Sequence, residues 1–243
     1  MKTAIIIITY HIDPRILIGQ VQAIRKFCTD ADYSIEFFDN SQDEEKAAGI
    51  KHHVIDQGCN YHRTISATTD PSVSHSFAAN FAYKTLKDRY DLIAFFDHDL
   101  IPVKTFSVEL ILAGKLVAGV LQYQGGHVQY LWPGCLFLDN TQIDKSLVDF
   151  SPNNQLGTDT GGELYKLVNA CGTGQCVFID ETGCLNPDLK DHPTHYFYMT
   201  LHNQTFLHFL AASGWAGEPD HEKRINSLIN IVNNKITDYD NLQ

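Results

Sequence analysis

The sequence predicts one α/β domain with a mostly parallel central sheet flanked by helices. Three observations predict it. The chain opens with an unbroken apolar run, Ala4 to Ile8, containing four consecutive isoleucines, the pattern of a strand buried on both faces. Strand-like and helix-like segments then alternate through the first hundred residues, the order that gives parallel strands joined by right-handed crossovers. The length of 243 residues, with 44% hydrophobic and 19% charged, suits a single core of ordinary globular composition.

Each element can be argued in turn. Lys2 to Tyr10 is the first strand. Pro14 stands where a helix can begin, and Leu17, Val21, Ile24 and Cys28 follow at helical spacing. Tyr33 to Phe38 is a second strand, ending in Asp39-Asn40-Ser41. Gln42 to Gly49 is a polar loop or short helix, and His52 to Ile55 a weak third strand. Pro71 to Tyr90 reads as a helix with Val73, Phe77, Phe81 and Leu86 toward one side. Leu92 to Phe96 is a buried strand that carries Asp97-His98-Asp99 at its carboxyl end.

The second half is less regular. Val117 to Tyr123 and Tyr130 to Leu138 read as strands around a Gly125-Gly126 turn. Thr158 to Val168 reads as a helix and Cys176 to Ile179 as a strand. Tyr196 to Leu210 holds aromatic strand-like segments, and Ile225 to Ile236 is a closing helix. There is no internal repeat and no low-complexity linker. Residues 1–104 and 105–243 are therefore read as two functional halves of one domain.

Charge excludes some functions. The net charge of -11 argues against nucleic-acid binding, which needs basic patches to neutralise phosphates, and against docking on anionic lipid. An anionic small substrate remains open if a metal or local basic residues offset the field. No apolar window approaches the roughly 20 residues of a membrane span. The Ala4–Ile8 run is too short for a signal peptide. The expectation is a soluble, cytoplasmic protein. The six cysteines, Cys28, Cys59, Cys135, Cys171, Cys176 and Cys184, form no C-x-x-C pair and read as reduced thiols.

Ligands of parallel sheets bind beyond the carboxyl ends of the strands, and Tyr10, Asp39 and Asp97 all lie at such ends. Asp97 and Asp99 are one residue apart at a strand-to-loop bend, so both can face one divalent cation. Oxygen ligands of this kind suit Mg²⁺ or Mn²⁺ and leave room for phosphate oxygens. A D-x-D can also be a solvated acidic turn; the apolar strand in front of it favours the metal site.

Four pieces in this order carry a resemblance: Ile5-Ile6-Ile7-Ile8-Thr9-Tyr10, Asp39-Asn40-Ser41, Ser76-Phe77-Ala78-Ala79-Asn80 and Asp97-His98-Asp99. They resemble the nucleotide-binding half of GT-A glycosyltransferases, particularly the family 2-like branch; the second half of the chain matches only loosely. The resemblance implies a GT-A fold and a nucleoside diphosphate sugar as donor. It implies that Thr9, Tyr10 and Asp39 hold the base and ribose, and that Asn80 lies beside the donor. Asp97 and Asp99 would bind Mn²⁺ or Mg²⁺ and the diphosphate. The acceptor would be the hydroxyl of a carbohydrate, attacking the anomeric carbon with inversion. In some such enzymes a late histidine completes the metal shell, which singles out His208. Asp39 reads equally as a turn residue, Asn80 as a polar helix flank, and His208 as a core histidine.

Thr158-Asp159-Thr160-Gly161-Gly162-Glu163 carries two readings. Thr160 and Glu163 have capping-box spacing. Two glycines are poor in a first helical turn, so they also suggest close backbone approach to a ligand. An inverting transferase needs a carboxylate base; Asp159 and Glu163 are the candidates, with Asp159 preferred for its loop-side position. Trp132-Pro133-Gly134 predicts a bend or edge, with Trp132 either stacked on an acceptor sugar or in the core. Gly214-Trp215 is a second possible stacking surface. His52, His53, His62, His192 and His195 lack zinc spacing and read as surface or loop residues. Arg63 is a candidate to offset diphosphate charge. A nucleotidyltransferase would want a glycine-rich basic loop after the first strand, and Tyr10 to Arg15 has no glycine. A non-catalytic sugar-binding protein is disfavoured by the acids at 97, 99, 159 and 163.

Overall fold

A computed structural model describes residues 1–124, 128–182, 198–201, 204–209 and 221–240. The first half runs β1 (Thr3–Thr9), α1 (Pro14–Phe27), β2 (Tyr33–Asp39), α2 (Glu44–Asp56), β3 (Asn60–Arg63), α3 (Pro71–Leu86), β4 (Leu92–Asp97) and β5 (Leu100–Pro102). The second runs α4 (Val108–Leu112), β6 (Val117–Gln124), β7 (Val128–Asp139), α5 (Tyr165–Cys171), β8 (Cys176–Ile179), β9 (Glu181–Thr182), β10 (Tyr198–Leu201), β11 (Phe206–Phe209) and α6 (His221–Asp240). A seven-stranded sheet in the order β3-β2-β1-β4-β7-β6-β8 crosses both halves. Its ladders are parallel except where β7 runs against β4 and β6. A second sheet, β5-β11-β10-β9, is antiparallel.

The strand period of two sends alternate residues of β1 to opposite faces. Ile5 and Ile7 pack with Phe37 and Phe96 beneath α1, α2 and α6, while Ala4, Ile6 and Ile8 pack with Phe38 and Phe95 beneath α3 and α5. Burial on both faces is why these strands are continuously apolar. Helix starts follow local chemistry. Asp13, Asp43 and Asp70 each cap the following helix with a carboxylate oxygen, and Pro14 and Pro71 open α1 and α3.

Four expectations need correction. His52 to Ile55 is helical: α2 runs to Asp56, with Ala47, Ile50 and Val54 buried at helical spacing, and the third strand is Asn60–Arg63. On α3 the face is reversed. Ala78, Ala79, Ala82 and Leu86 meet the sheet, whereas Val73, Phe77 and Phe81 are 39%, 45% and 44% exposed. Large sheet residues such as Phe38 and Phe95 fill that layer, so a helix with small residues inward fits closely. The helix expected from Thr158 begins at Tyr165 after a short 3-10 turn at Gly162–Leu164, and the capping box does not form. His62 is not a free surface residue; it binds Glu36. The bend expected at Trp132-Pro133-Gly134 does occur, as a bulge where the β6–β7 register shifts beyond the end of β4. The Gly125-Gly126 turn, Cys184, His192, His195 and Gly214-Trp215 lie outside the described residues. The five described cysteines are free thiols, and among the described residues no helix is long and apolar enough to cross a membrane.

Glu36 is 1% exposed and accepts hydrogen bonds from Ser34 (3.0 Å), Tyr90 (2.7 Å) and Asn60 (2.9 Å), with His62 Nε2 2.8 Å away. Burial alone would push its carboxyl up; the bonds from His62, Tyr90, Asn60 and Ser34 outweigh it and bring the pKa from 4.5 down to about 2. A carboxylate with a depressed folded pKa stabilises above its unfolded pKa, and that contribution fades as the pH falls from 4.5 toward 2. Glu36→Gln should therefore cost on the order of 3 kcal/mol near neutral pH. The deficit should vanish near pH 2 in denaturant titrations of both proteins. A deficit independent of pH would contradict this account.

Candidate active site at the ends of β1 and β4

A cleft of about 830 Å³ opens at the carboxyl ends of β1 and β4, where an α/β sheet places its ligands. Thr9, Tyr10, Asp97, His98, Asp99 and Asp159 line it, together with His75 and Trp132. Lys46 and His11 line it too. Tyr10 stacks on His11 with centroids 4.1 Å apart.

The bend that presents the acids is held from behind. Gln20 on α1, fully buried, donates from Nε2 to the carbonyls of Asp97 and Leu100, both at 2.8 Å. The β5–β11 pairing sets His208 opposite Leu100, and Phe209 N donates to the Asp99 carbonyl at 2.9 Å. Backbone registry thus brings residues over a hundred positions apart side by side. His208 Nε2 lies 3.5 Å from Asp99 Oδ1, and the ring packs on Trp132 with centroids 4.5 Å apart.

Asp97 Oδ1 is 2.8 Å from His75 Nε2 at the start of α3. Burial alone would lower the His75 imidazole, but Asp97, with Asp99 and Asp159 behind it, raises it above 6.5. His98 places Nδ1 3.2 Å from the Ile8 carbonyl and Nε2 4.0 Å from Asp99 Oδ2. Among the described residues that Nε2 is buried without a hydrogen-bond partner.

Asp159 faces the cleft from the second half. Its backbone N–H lies 3.4 Å from the Tyr130 hydroxyl, and its Oδ1 accepts from Thr160 N at 2.7 Å. Thr160 donates to the Ser72 carbonyl at 3.0 Å, tying this loop to the start of α3. The two glycines have a packing reason. Gly161 has φ +86, and a Cβ there would lie 2.8 Å from Pro133 Cδ; a Cβ on Gly162 would collide with Thr158 Oγ1. Gly161 lets the loop sit against β7 and Gly162 lets it close on Thr158, so both have a packing reason within the chain.

The sequence matches no protein-family model and no curated protein. Among solved structures, it is similar to the galactosyltransferase LgtC in complex with donor and acceptor sugar analogs. The identity is 11% and the TM-score 0.51, over 93% of this chain and 95% of that one. With the sheet order above, this decides the architecture. The chain has the GT-A fold. A mannosyltransferase from Pyrobaculum calidifontis, in complex with GDP-Man and Mn²⁺, is 8% identical with a TM-score of 0.49. The match covers 73% of this chain and 54% of that chain, so this chain spans about half of that protein. Glucosyl-3-phosphoglycerate synthase from Mycobacterium tuberculosis is 14% identical with a TM-score of 0.47, over 73% of this chain and 68% of that one. These likenesses do not single out the family 2-like branch.

Within this GT-A fold, Thr9, Tyr10, Asp97, Asp99 and Asp159 share the cleft, and His208 stands directly behind Asp99. Three predicted site residues point elsewhere. Asp39 is fully buried and accepts from Thr9 Oγ1 (3.3 Å), Ser41 N (3.0 Å) and Tyr61 OH (2.8 Å), with Arg63 3.9 Å away. It braces the strand ends and does not line the cleft. Asn80 donates to Asp149 (3.0 Å) and Ser151 (3.3 Å) and accepts from Phe150 N (3.1 Å), so it anchors a loop. Glu163 accepts from Asn153 at 2.7 Å and pairs with Lys166 at 2.5 Å. Arg63, a candidate for the diphosphate, pairs with Glu44 at 3.2 Å. Sequence reasoning missed His75, His11 and Lys46. A signal for His75 was available: Ser72, Ser74, His75 and Ser76 are polar residues crowded into the first two turns of a helix that packs on the sheet.

The donor set suits a hard or borderline divalent ion: two carboxylates, and imidazole nitrogens at 3.5 and 4.0 Å from one of them. Among the described residues no three His, Cys, Asp or Glu side chains already converge at ligand spacing; Asp97 is turned onto His75. The fit is one of donor chemistry, with Asp99 and His208 as its nucleus.

Proposed function

We propose that this chain is a glycosyltransferase that moves a sugar from a nucleoside diphosphate sugar to an acceptor hydroxyl, with Mn²⁺ or Mg²⁺ bound. One observation carries the reading. Asp97 and Asp99, presented at the end of β4, share a cleft with Asp159 from the other half, and His208 from the second sheet reaches Asp99. The two halves divide the work, residues 1–104 holding the donor and 105–243 the acceptor.

Thr9 and Tyr10 at the end of β1 line the cleft and would hold the base and ribose. Lys46 brings positive charge to an anionic ligand in the cleft, and His11, whose imidazole is held below 6.5 by burial and by Lys46, offers a neutral ring donor. Asp97, Asp99 and His208 would hold the cation, which would neutralise charge on the departing diphosphate. Trp132 offers a flat apolar wall to a sugar. Asp159, exposed on the cleft, takes the proton of the acceptor hydroxyl. That oxygen bonds to the anomeric carbon as the carbon–oxygen bond to the diphosphate breaks. A single displacement of this kind inverts the anomeric centre.

A thermal-shift screen of nucleoside diphosphates and nucleotide sugars, with and without Mn²⁺, tests the reading. A ligand at a hundred times its Kd adds about 2.7 kcal/mol, which is about 5–10 °C for a chain of this size. The expected result is a rise of this order with nucleotide and Mn²⁺ together, and little with either alone. No shift with any nucleotide would refute the proposal.

A further inference from the structure

The middle residue of Asp97-His98-Asp99 has an unusual place. A carbonyl oxygen can only accept, so the 3.2 Å contact with Ile8 O makes His98 Nδ1 the donor. In the neutral ring Nε2 then carries the lone pair. His98 lines the cleft, and that nitrogen is buried, without a hydrogen-bond partner among the described residues, 4.0 Å from Asp99 Oδ2. A buried ring acceptor left without a donor is costly, and a cation held by Asp99, beside it, would satisfy it. A ring nitrogen bonded to a backbone carbonyl, with the other nitrogen presented to a site, is also how proteins orient histidine ligands.

We infer that His98 is a metal ligand through Nε2, a second imidazole beside His208 on the cation held by Asp99. This rests on the metal-dependent reading above. Its consequence is metal choice: Mn²⁺, a transition ion, accepts an imidazole nitrogen more readily than Mg²⁺, which keeps an all-oxygen shell. The site should favour Mn²⁺ over Mg²⁺ because of His98.

The test uses the full chain and Mn²⁺ alone. Pulsed electron paramagnetic resonance of the Mn²⁺ complex counts coordinated nitrogens without any assay of activity. Two are expected in the unmodified protein, and one in each of His98→Gln and His208→Gln. By calorimetry, His98→Gln should bind Mn²⁺ at least about tenfold more weakly, the lower end of what even an outer-shell partner of a ligand contributes. Its preference for Mn²⁺ over Mg²⁺ should shrink with it. A single nitrogen in the unmodified protein overturns the inference, even if His98→Gln does not fold. So does a nitrogen count that His98→Gln leaves unchanged. If Asp99→Ala binds Mn²⁺ as the unmodified protein does, the metal-dependent reading falls too, which separates the two failures.

Discussion

Asp159→Asn is expected to leave nucleotide binding intact while lowering turnover by roughly a hundredfold to ten-thousandfold, the usual worth of a general base. The substitution keeps the side chain's size and an oxygen that can still accept from Thr160 N, as Asp159 Oδ1 does at 2.7 Å, so the loop should hold. What is lost is basicity toward the acceptor hydroxyl. The loss should fall on kcat more than on donor KM, because the donor is held by residues of the other half. Glu163→Gln is the control. Glu163 is bound to Asn153 and Lys166 away from the cleft lining, so that change should alter stability more than rate. An active Asp159→Asn with a dead Glu163→Gln would swap the two roles. If both stay active, the base lies elsewhere.

The second large effect is at Asp99. Asp99→Ala removes the carboxylate that His208 and His98 both approach, at 3.5 and 4.0 Å. Mn²⁺-enhanced binding of a nucleoside diphosphate should weaken at least about a hundredfold, the upper end of what losing a hydrogen-bond partner of a metal ligand does. The fold should survive, since the backbone of this bend is held by Gln20 and by Phe209 N. Leaving His208 without its carboxylate should cost about 1–3 kcal/mol of stability. Calorimetric titration of the nucleotide with and without Mn²⁺ measures the effect. Unchanged metal-dependent affinity in the variant would mean that the cation is held elsewhere.

Much of the first half was legible in the sequence because its strands are buried on both faces. An apolar run such as Leu92 to Phe96 announces itself, and so do the acids at its end. The face of α3 was misjudged because apolar size was taken as the guide to burial. Ala78, Ala79 and Ala82 face inward since the sheet layer is already filled, and the surplus falls on Val73, Phe77 and Phe81. The glycines at 161 and 162 were rightly seen as unusual, but what approaches them is Pro133 and Thr158, neighbours that only the folded chain identifies. Asp39 and Asn80 sit at suggestive positions, yet their hydrogen bonds are spent on Tyr61, Ser41 and the Asp149 loop. Such saturation is invisible in one dimension. The His208–Asp99 pair depends on β5–β11 registry across more than a hundred residues, which no local pattern encodes. His75 and His98 were passed over for a related reason: a histidine's role is set by what its two nitrogens face.

The central claim is that the cleft at the ends of β1 and β4 holds a nucleoside diphosphate on a divalent cation, with Asp159 across from it. Anomalous diffraction at the manganese edge tests this most directly, using crystals grown with Mn²⁺ and the nucleoside diphosphate that gives the largest thermal shift. The account predicts one strong manganese peak beside Asp99 and His208, next to the diphosphate, with open space between the terminal phosphate and Asp159. A nucleotide bound with no manganese beside Asp99, or a manganese ion and nucleotide seated outside this cleft, would contradict it.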